Sequence, residues 1–177
     1  MKRGPRAFLI LADGAVFAGR SIGATGEAGG EVVFNTSLSG YQEVLTDPSY
    51  RGQIVVMTNP LIGNYGINVE DAESERPHLQ AFVVRELSSR VSNFRSTEAL
   101  GDYLARHGVV AIEGVDTRAI TRRIRLRGAM KGLISTEAED PESLRVRLGG
   151  IPELVGRDLV QEVANEVVTD KAGTAGY

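Results

Sequence analysis

The hydrophobic period of this chain changes near residue 95, and no other feature restricts its fold as tightly. Before that point apolar residues come in short runs bounded by glycine, proline and polar turns, the signature of strands. Ala7-Phe8-Leu9-Ile10-Leu11 and Val16-Phe17-Ala18-Gly19 flank Asp13-Gly14. Asp-Gly between apolar runs predicts a β-hairpin with a type I′ turn, which needs positive φ at both central residues. Gly23, Gly26, Gly29 and Gly30 then read as a loop, and residues 31–35, 53–58 and 80–85 as three more strands. Beyond the change, Leu100, Tyr103 and Leu104 share one face of a helix that Ser96 or Thr97 can cap and that ends at Arg106-His107-Gly108. Residues 109–112 form a short buried strand. Asp116 or Thr117 caps the next helix, with Ile120 and Ile124 inward and arginines outward. Residues 130–135 read as a strand, 141–148 as a helix opened by Pro141, and 156–164 as a last short helix. Strand and helix alternate here, which predicts some parallel pairing in this half. The fold class is α/β: a strand-rich first half and a helix–strand second half, built on a mixed sheet or two stacked sheets with helices on one side.

Composition removes several function classes. The chain has 177 residues, enough for one ordinary domain with a tail. Its 20 basic and 23 acidic residues leave a net charge of −3, which argues against a simple polycationic nucleic-acid binder. Glycine and proline, 21 and 6, fall short of low-complexity disorder. There is no cysteine, so disulfide scaffolds, thiolate metal sites and thiol nucleophiles all fall away. The basic start Met1-Lys2-Arg3 and the apolar residues 7–12 imitate a secretory signal, but the run is too short for one. No stretch has the ~20 apolar residues of a membrane span. A cytoplasmic protein is expected.

Few residues offer chemistry by themselves. No Lys-Ser or Lys-Thr pair exists to complete a phosphate loop, and Gly23-x-x-Gly26-x-x-Gly29 is better explained by turns than by dinucleotide binding. His78 in a charged loop and His107 at a helix end read as surface residues, the latter as a cation favoured by the helix dipole. Two histidines without cysteine are too few for a typical zinc site. Asn35-Thr36-Ser37 matches a glycosylation sequon but lacks the secretory context. Arg118, Arg122, Arg123, Arg125, Arg127 and Lys131 form one dense basic stretch with no acid inside it. It reads as a solvated helix face or as a contact surface for an acidic protein; nucleic acid is disfavoured by the net charge and the lack of stacking aromatics. The acidic loops at residues 70–75 and 137–140 are its possible partners. In Thr46-Asp47-Pro48-Ser49-Tyr50, Pro48 holds Asp47 extended and pre-sets a turn that leaves the Ser49 hydroxyl free. Residue chemistry alone makes this a plain turn.

The wording of the sequence goes further. Gly23-Ala24-Thr25-Gly26 and Gly30-Glu31-Val32-Val33-Phe34-Asn35-Thr36-Ser37 are followed by Gly40-Tyr41-Gln42-Glu43-Val44-Leu45-Thr46-Asp47-Pro48-Ser49-Tyr50. With Asn59-Pro60, Ile62-Gly63-Asn64, Ser92-Asn93-Phe94-Arg95, Asp116-Thr117-Arg118, Thr121-Arg122 and Arg127-Gly128-Ala129, this pattern resembles the small, glutamine-amidotransferase subunit of carbamoyl phosphate synthetase. The resemblance runs from about residue 6 to 165. It implies a swivelling β/β/α three-layer domain over residues 1–165, with residues 166–177 opening a linker to a glutaminase domain absent here.

The complex so implied makes carbamoyl phosphate from glutamine, bicarbonate and two ATP, for arginine and pyrimidine biosynthesis. A glutaminase domain with a Cys-His-Glu triad releases ammonia, which a tunnel carries to the large subunit. That subunit, with its own ATP and magnesium, activates bicarbonate and phosphorylates the carbamate. No catalytic residue, metal site or cofactor is assigned to this chain. One substrate contact carries over: the resemblance places Ser49 at the glutamine site, reaching across from the N-terminal domain. The expected partners are the large subunit, the glutaminase domain and glutamine, with no nucleic acid and no membrane. Arg118, Arg122 and Arg123 are candidates for either protein interface. The alternative is a free-standing module that reuses this fold to bind a small ligand.

Overall fold

The computed structural model describes residues 4–68, 74, 76–138 and 140–151. The predicted helix at 156–164, the linker at 166–177 and most of the acidic loop at 70–75 lie outside the described residues. Seven strands close a mixed barrel: β1 (Arg6–Leu11), β2 (Val16–Ser21), β3 (Glu27–Asn35), β4 (Gln53–Met57), β6 (Ala81–Val83), β8 (Val110–Glu113) and β9 (Met130–Ser135). They follow one another around the wall as β1-β2-β8-β6-β4-β3-β9. Two short strands, β5 (Leu61–Ile62) and β7 (Glu86–Leu87), pair in parallel outside it. The helices are α1 (Tyr41–Thr46), α2 (Leu100–Arg106), α3 (Thr117–Arg127) and α4 (Pro141–Leu148), with a 3-10 turn at Pro48–Tyr50. No helix among the described residues is long and apolar enough to cross a membrane.

Alternation along the strands separates the cores. Ala7, Leu9 and Leu11 of β1 join Ile54, Val56, Ala81, Val83, Val110, Ile112 and Ile134 in one buried cluster. Ile120 and Ile124 of α3 complete it, so α3 plugs the barrel. On the other face Val55, Met57, Phe82 and Ala111 meet Val44 and Leu45 of α1 and Leu100, Tyr103 and Leu104 of α2. Phe8, Ile10 and Leu133 meet Leu144 and Leu148 of α4. Most wall strands are thus covered on both faces, which explains their near-continuous apolar runs.

The first hairpin forms as predicted but with a different turn. Leu11 N–H bonds Ala15 O at 2.9 Å and Gly14 N–H bonds Leu11 O at 2.8 Å. The connection is therefore three residues, and only Gly14, at φ 86°, needs the left-handed region. Gly29 and Gly30 are not loop residues. They lie within β3, which begins at Glu27. Gly30 faces Gly132 of β9, and a side chain on it would overlap the Gly52 carbonyl oxygen. Glycine is there because the neighbouring backbone lies where a Cβ would stand. Helix α2 begins at Leu100 after Ala99, with no side-chain cap. Ser96 and Thr97 instead donate their hydroxyls to Glu98 O at 3.1 Å and Ile67 O at 3.1 Å, fixing the preceding loop. Asp116 does cap α3, accepting from Ala119 N at 2.9 Å.

The predicted parallel pairing is present where α2 links β6 to β8, and it extends into the strands of the first half. It joins β3 to β4, β4 to β6 and β6 to β8, while β9 is antiparallel to both β1 and β3. Helices also cover more than one side. Gly30→Ala should lower stability by about 1–3 kcal/mol, the cost of forcing atoms into a filled site. Urea unfolding would show this as a reduced midpoint at unchanged slope.

Candidate functional site

The residues around Ser49 are built from the C-terminal ends of β3 and α1. Asp47 is extended ahead of Pro48, at φ −73° and ψ 117°, as the Asp-Pro step requires. Its carboxylate accepts from Ser49 N at 2.8 Å and closes the 3-10 turn. Ser49 is exposed, and its hydroxyl makes no hydrogen bond among the described residues. Next to it the Tyr50 hydroxyl accepts from Asn35 Nδ2 at 2.9 Å, while Asn35 Oδ1 accepts from Ser37 N at 2.8 Å. The sequon asparagine is therefore a brace between β3 and the Ser49 turn.

Upstream, the same run of sequence locks α1 in place. Gly40 precedes the helix at φ 79° with no side-chain cap of its own. Tyr65 supplies one from a distance: its hydroxyl accepts from Gly40 N at 2.8 Å and from Tyr41 N at 3.1 Å. The two tyrosine rings stack with centroids 4.2 Å apart, and Tyr41 donates its hydroxyl to Gly66 O at 2.6 Å. Gln42, buried, donates to Asn68 O and accepts from Asn68 N at 3.0 Å. A buried amide satisfied at both ends is costly to disturb. Tyr65 escapes a sequence reading, because its partners lie 24 and 25 residues away and no periodicity marks it.

The basic stretch divides in two. Arg123 and Arg127 both bond Asp13 Oδ2, at 2.7 and 2.8 Å, from the tip of the first hairpin. The Asp13 side chain is 9% exposed. Burial pushes its carboxyl pKa up, but the Ala15 amide, Arg123 and Arg127 together outweigh that and hold it below the ordinary value. Arg125 lies over the Phe34 ring at 5.4 Å, and Lys131 bonds Ile151 O at 2.9 Å. Arg118 and Arg122 are exposed, with no ion-pair partner among the described residues. Of the candidate interface arginines, Arg123 is thus committed to the hairpin. Of the second acidic loop, Asp140 caps α4 by accepting from Glu142 N at 3.0 Å.

His78 Nε2 lies 3.0 Å from Ser74 Oγ. His107 stands against Tyr103 at 4.5 Å, and burial, then the Arg106 charge, pushes its pKa down. The neutral ring is favoured, so the cation at the end of α2 is Arg106 and not His107. Arg106 is held in a two-point pair by Glu98, at 2.7 and 3.1 Å. An open groove at the seam of β2 and β8, walled by Arg6, Arg20, Arg85, Asp102 and Glu113, does not include Ser49, Asn35 or Tyr50.

These features define a mixed α/β barrel domain whose rim presents a braced turn with one free hydroxyl. The family model for the carbamoyl-phosphate synthase small chain, CPSase domain, matches residues 9–134. Carbamoyl phosphate synthase small chains align over most of the chain. That of Syntrophotalea carbinolica is 60% identical over 158 residues, 89% of this chain and 42% of its own length. That of Nitratidesulfovibrio vulgaris strain Miyazaki F is 57% identical over 90% of this chain and 42% of its own length. The Thermotoga maritima small chain is 55% identical over 93% of this chain and 42% of its own length. The chain belongs to the carbamoyl phosphate synthase small-chain family. It spans about two fifths of the length of these curated relatives.

Two predictions follow from the braces. Tyr65→Phe removes the acceptor for two amides of α1 and should cost about 1–2 kcal/mol, the range of a lost helix cap. Denaturant unfolding measures the loss, and faster amide exchange at Gly40 and Tyr41 locates it. For Asp13, whose folded pKa is depressed, stabilisation is complete above the ordinary value of 3.8 and is lost as pH falls through the folded value. Asp13→Asn should therefore destabilise the protein near neutrality and flatten the acid limb of its stability–pH curve below about pH 4.

Proposed function

We propose that this chain is the N-terminal, non-catalytic part of the small subunit of a glutamine-hydrolysing carbamoyl phosphate synthase, a ligase. It supports a glutaminase domain, supplied by the rest of the small subunit, and docks on the large subunit. Glutamine-derived ammonia, bicarbonate and two ATP then give carbamoyl phosphate for arginine and pyrimidine synthesis in the cytoplasm. ATP and magnesium belong to the large subunit, and the two subunits form a heterodimer. We read the domain as residues 1–165, followed by a linker. Its barrel walls stand for the two β layers and α1 with α2 for the helical layer of a swivelling β/β/α fold.

The observation that carries this reading is the Ser49 turn. A hydroxyl both donates and accepts, so it can meet either the carboxylate or the amide of glutamine. Here it is exposed on a turn fixed by Asp47 and Asn35, free of internal partners among the described residues. The contact is worth about 1 kcal/mol, an ordinary hydrogen bond.

The test is Ser49→Ala in a full-length small chain assembled with its large chain. The glutamine KM should rise about fivefold, the equivalent of ~1 kcal/mol, with ammonia-driven synthesis unchanged. Unaltered glutamine kinetics would remove Ser49 from the site.

A further inference from the structure

One strip of the barrel wall is left bare. The outer face of β1 lies under Leu144 and Leu148 of α4, and Ala111 of β8 lies under α2. Between those two strands runs β2. Its residues Val16, Ala18 and Arg20 alternate outward and are exposed, while Phe17 packs inward. Arg20 stands directly opposite Arg6 across the β1–β2 pairing. Like charges so placed repel each other. Neither has an ion-pair partner among the described residues. Arg20 donates to Gly4 O at 3.3 Å, and Arg6 lies over the Phe8 ring at 4.8 Å. These contacts fix the two cations without neutralising either.

The bare strip is one wall of the groove at the seam of β2 and β8, which has a volume of about 1270 Å³. A third arginine, Arg85, lines it from the end of β6, where its carbonyl accepts from Gly114 N at 2.9 Å. Arg85 is exposed and also lacks an ion-pair partner among the described residues. The groove's own carboxylates are engaged or stand apart. Glu113 accepts from Leu87 N at 2.9 Å, and Asp116 from Ala119 N at 2.9 Å. Glu86 and Asp102 are exposed and pair with none of the three arginines. The groove opens at the carboxyl ends of β6 and β8, which run parallel, and β8 takes its antiparallel partner β2 there. In α/β sheets, ligands collect outside the carboxyl ends of the strands where the strand order changes.

We propose that this groove binds a phosphate monoester, its phosphate on Arg6, Arg20 and Arg85 and its hydroxyl groups on Glu86 and Asp102. Guanidinium groups present paired donors that match phosphate oxygens. A phosphate dianion between Arg6 and Arg20 replaces their repulsion with attraction to a shared partner. Ionised carboxylates only accept hydrogen bonds, so Glu86 and Asp102 select donors on the organic part of the ester. They also repel a second anionic group, which turns away a polyanion such as nucleic acid. The volume exceeds what a bare phosphate fills and leaves room for the organic part. The site shares no residue with the Ser49 turn and stands whether or not Ser49 meets glutamine.

The experiment titrates the 177-residue chain with ribose 5-phosphate at constant ionic strength and follows backbone amide and arginine Nε–H NMR signals. Saturable shifts should centre on Arg6, Arg20 and Arg85 and on residues 19–23 and 113–116. Inorganic phosphate should bind about tenfold more weakly, and ribose should cause no shift. Arg20→Gln and Arg85→Gln should each weaken ester binding about tenfold, the loss of a charge-assisted hydrogen bond. Arg20→Lys keeps the charge but loses the two-point contact, and should weaken binding nearly as much. All these side chains are exposed, and unchanged amide signals in β4 and β6 show that each variant is folded. No saturable shift at millimolar ester overturns the proposal. So does binding that survives both glutamine variants, or binding lost in Arg118→Gln with Arg122→Gln, which would put the phosphate on α3. Equal affinity for the ester and for inorganic phosphate overturns the assignment of a monoester. The shift map of the unmutated chain decides the location even if a variant folds poorly.

Discussion

The barrel closes through two strands, β3 and β8, that each have partners of opposite sense, and β3 is the one that leads to the Ser49 turn. Residues 27–32 of β3 pair antiparallel with β9, and residues 31–35 pair parallel with β4. The two ladders overlap at Glu31 and Val32, where the strand passes from one neighbour to the other. This works only where backbone can approach backbone, hence Gly30 opposite Gly132 and beside Gly52. The Ser49 turn and one contact of the plugging helix hang on the far end of this strand. Phe34 lies under Arg125 of the plugging helix, and Asn35 braces Tyr50. A barrel opened at β3 would lose the plug and the Ser49 turn together.

Much of this was legible, and the failures have physical causes. The strand at 130–135 and the helix at 141–148 match their predicted bounds, the helix because Pro141 marks its first turn. The arginine-rich helix was read correctly from Asp116, Ile120 and Ile124. Gly29 and Gly30 were misread because glycine signals a turn by local conformation, whereas here it answers a steric demand from chain segments more than 20 residues away. The parallel pairing expected of the helix–strand half is present between β6 and β8 but does not extend to β9. Strand-helix-strand order fixes the sequence of elements but not which edge the next strand joins, and β9 joins β1 and β3 rather than β8.

The Gly40 to Tyr50 run shows how a family signature divides between support and contact. Tyr41, Gln42, Val44, Leu45 and Thr46 are buried, and their hydrogen bonds are internal. They hold one helix turn against residues 63–68. Ser49 and Glu43 are the residues of this run that are exposed, and Ser49 presents the free hydroxyl among the described residues. Residue chemistry alone could not separate these roles, since a buried glutamine and an exposed one look the same in sequence. Tyr65, 24 residues on, makes the difference by capping a helix that has no cap of its own.

The two exposed surfaces also differ in kind. On α3 the hairpin carboxylate Asp13 takes Arg123 and Arg127, and Arg118 and Arg122 remain exposed to solvent. Such cations act at a distance of about a Debye length, ~8–10 Å at ordinary salt, and can draw in an acidic body before contact. The exposed side chains of Leu38 and Phe94 have no such reach; they gain only on contact, by removing apolar area from water. The barrel carries both kinds of surface on different loops and helices of the same frame. The basic stretch therefore divides in two along one helix: an internal latch through Asp13 and an exposed face with Arg118 and Arg122.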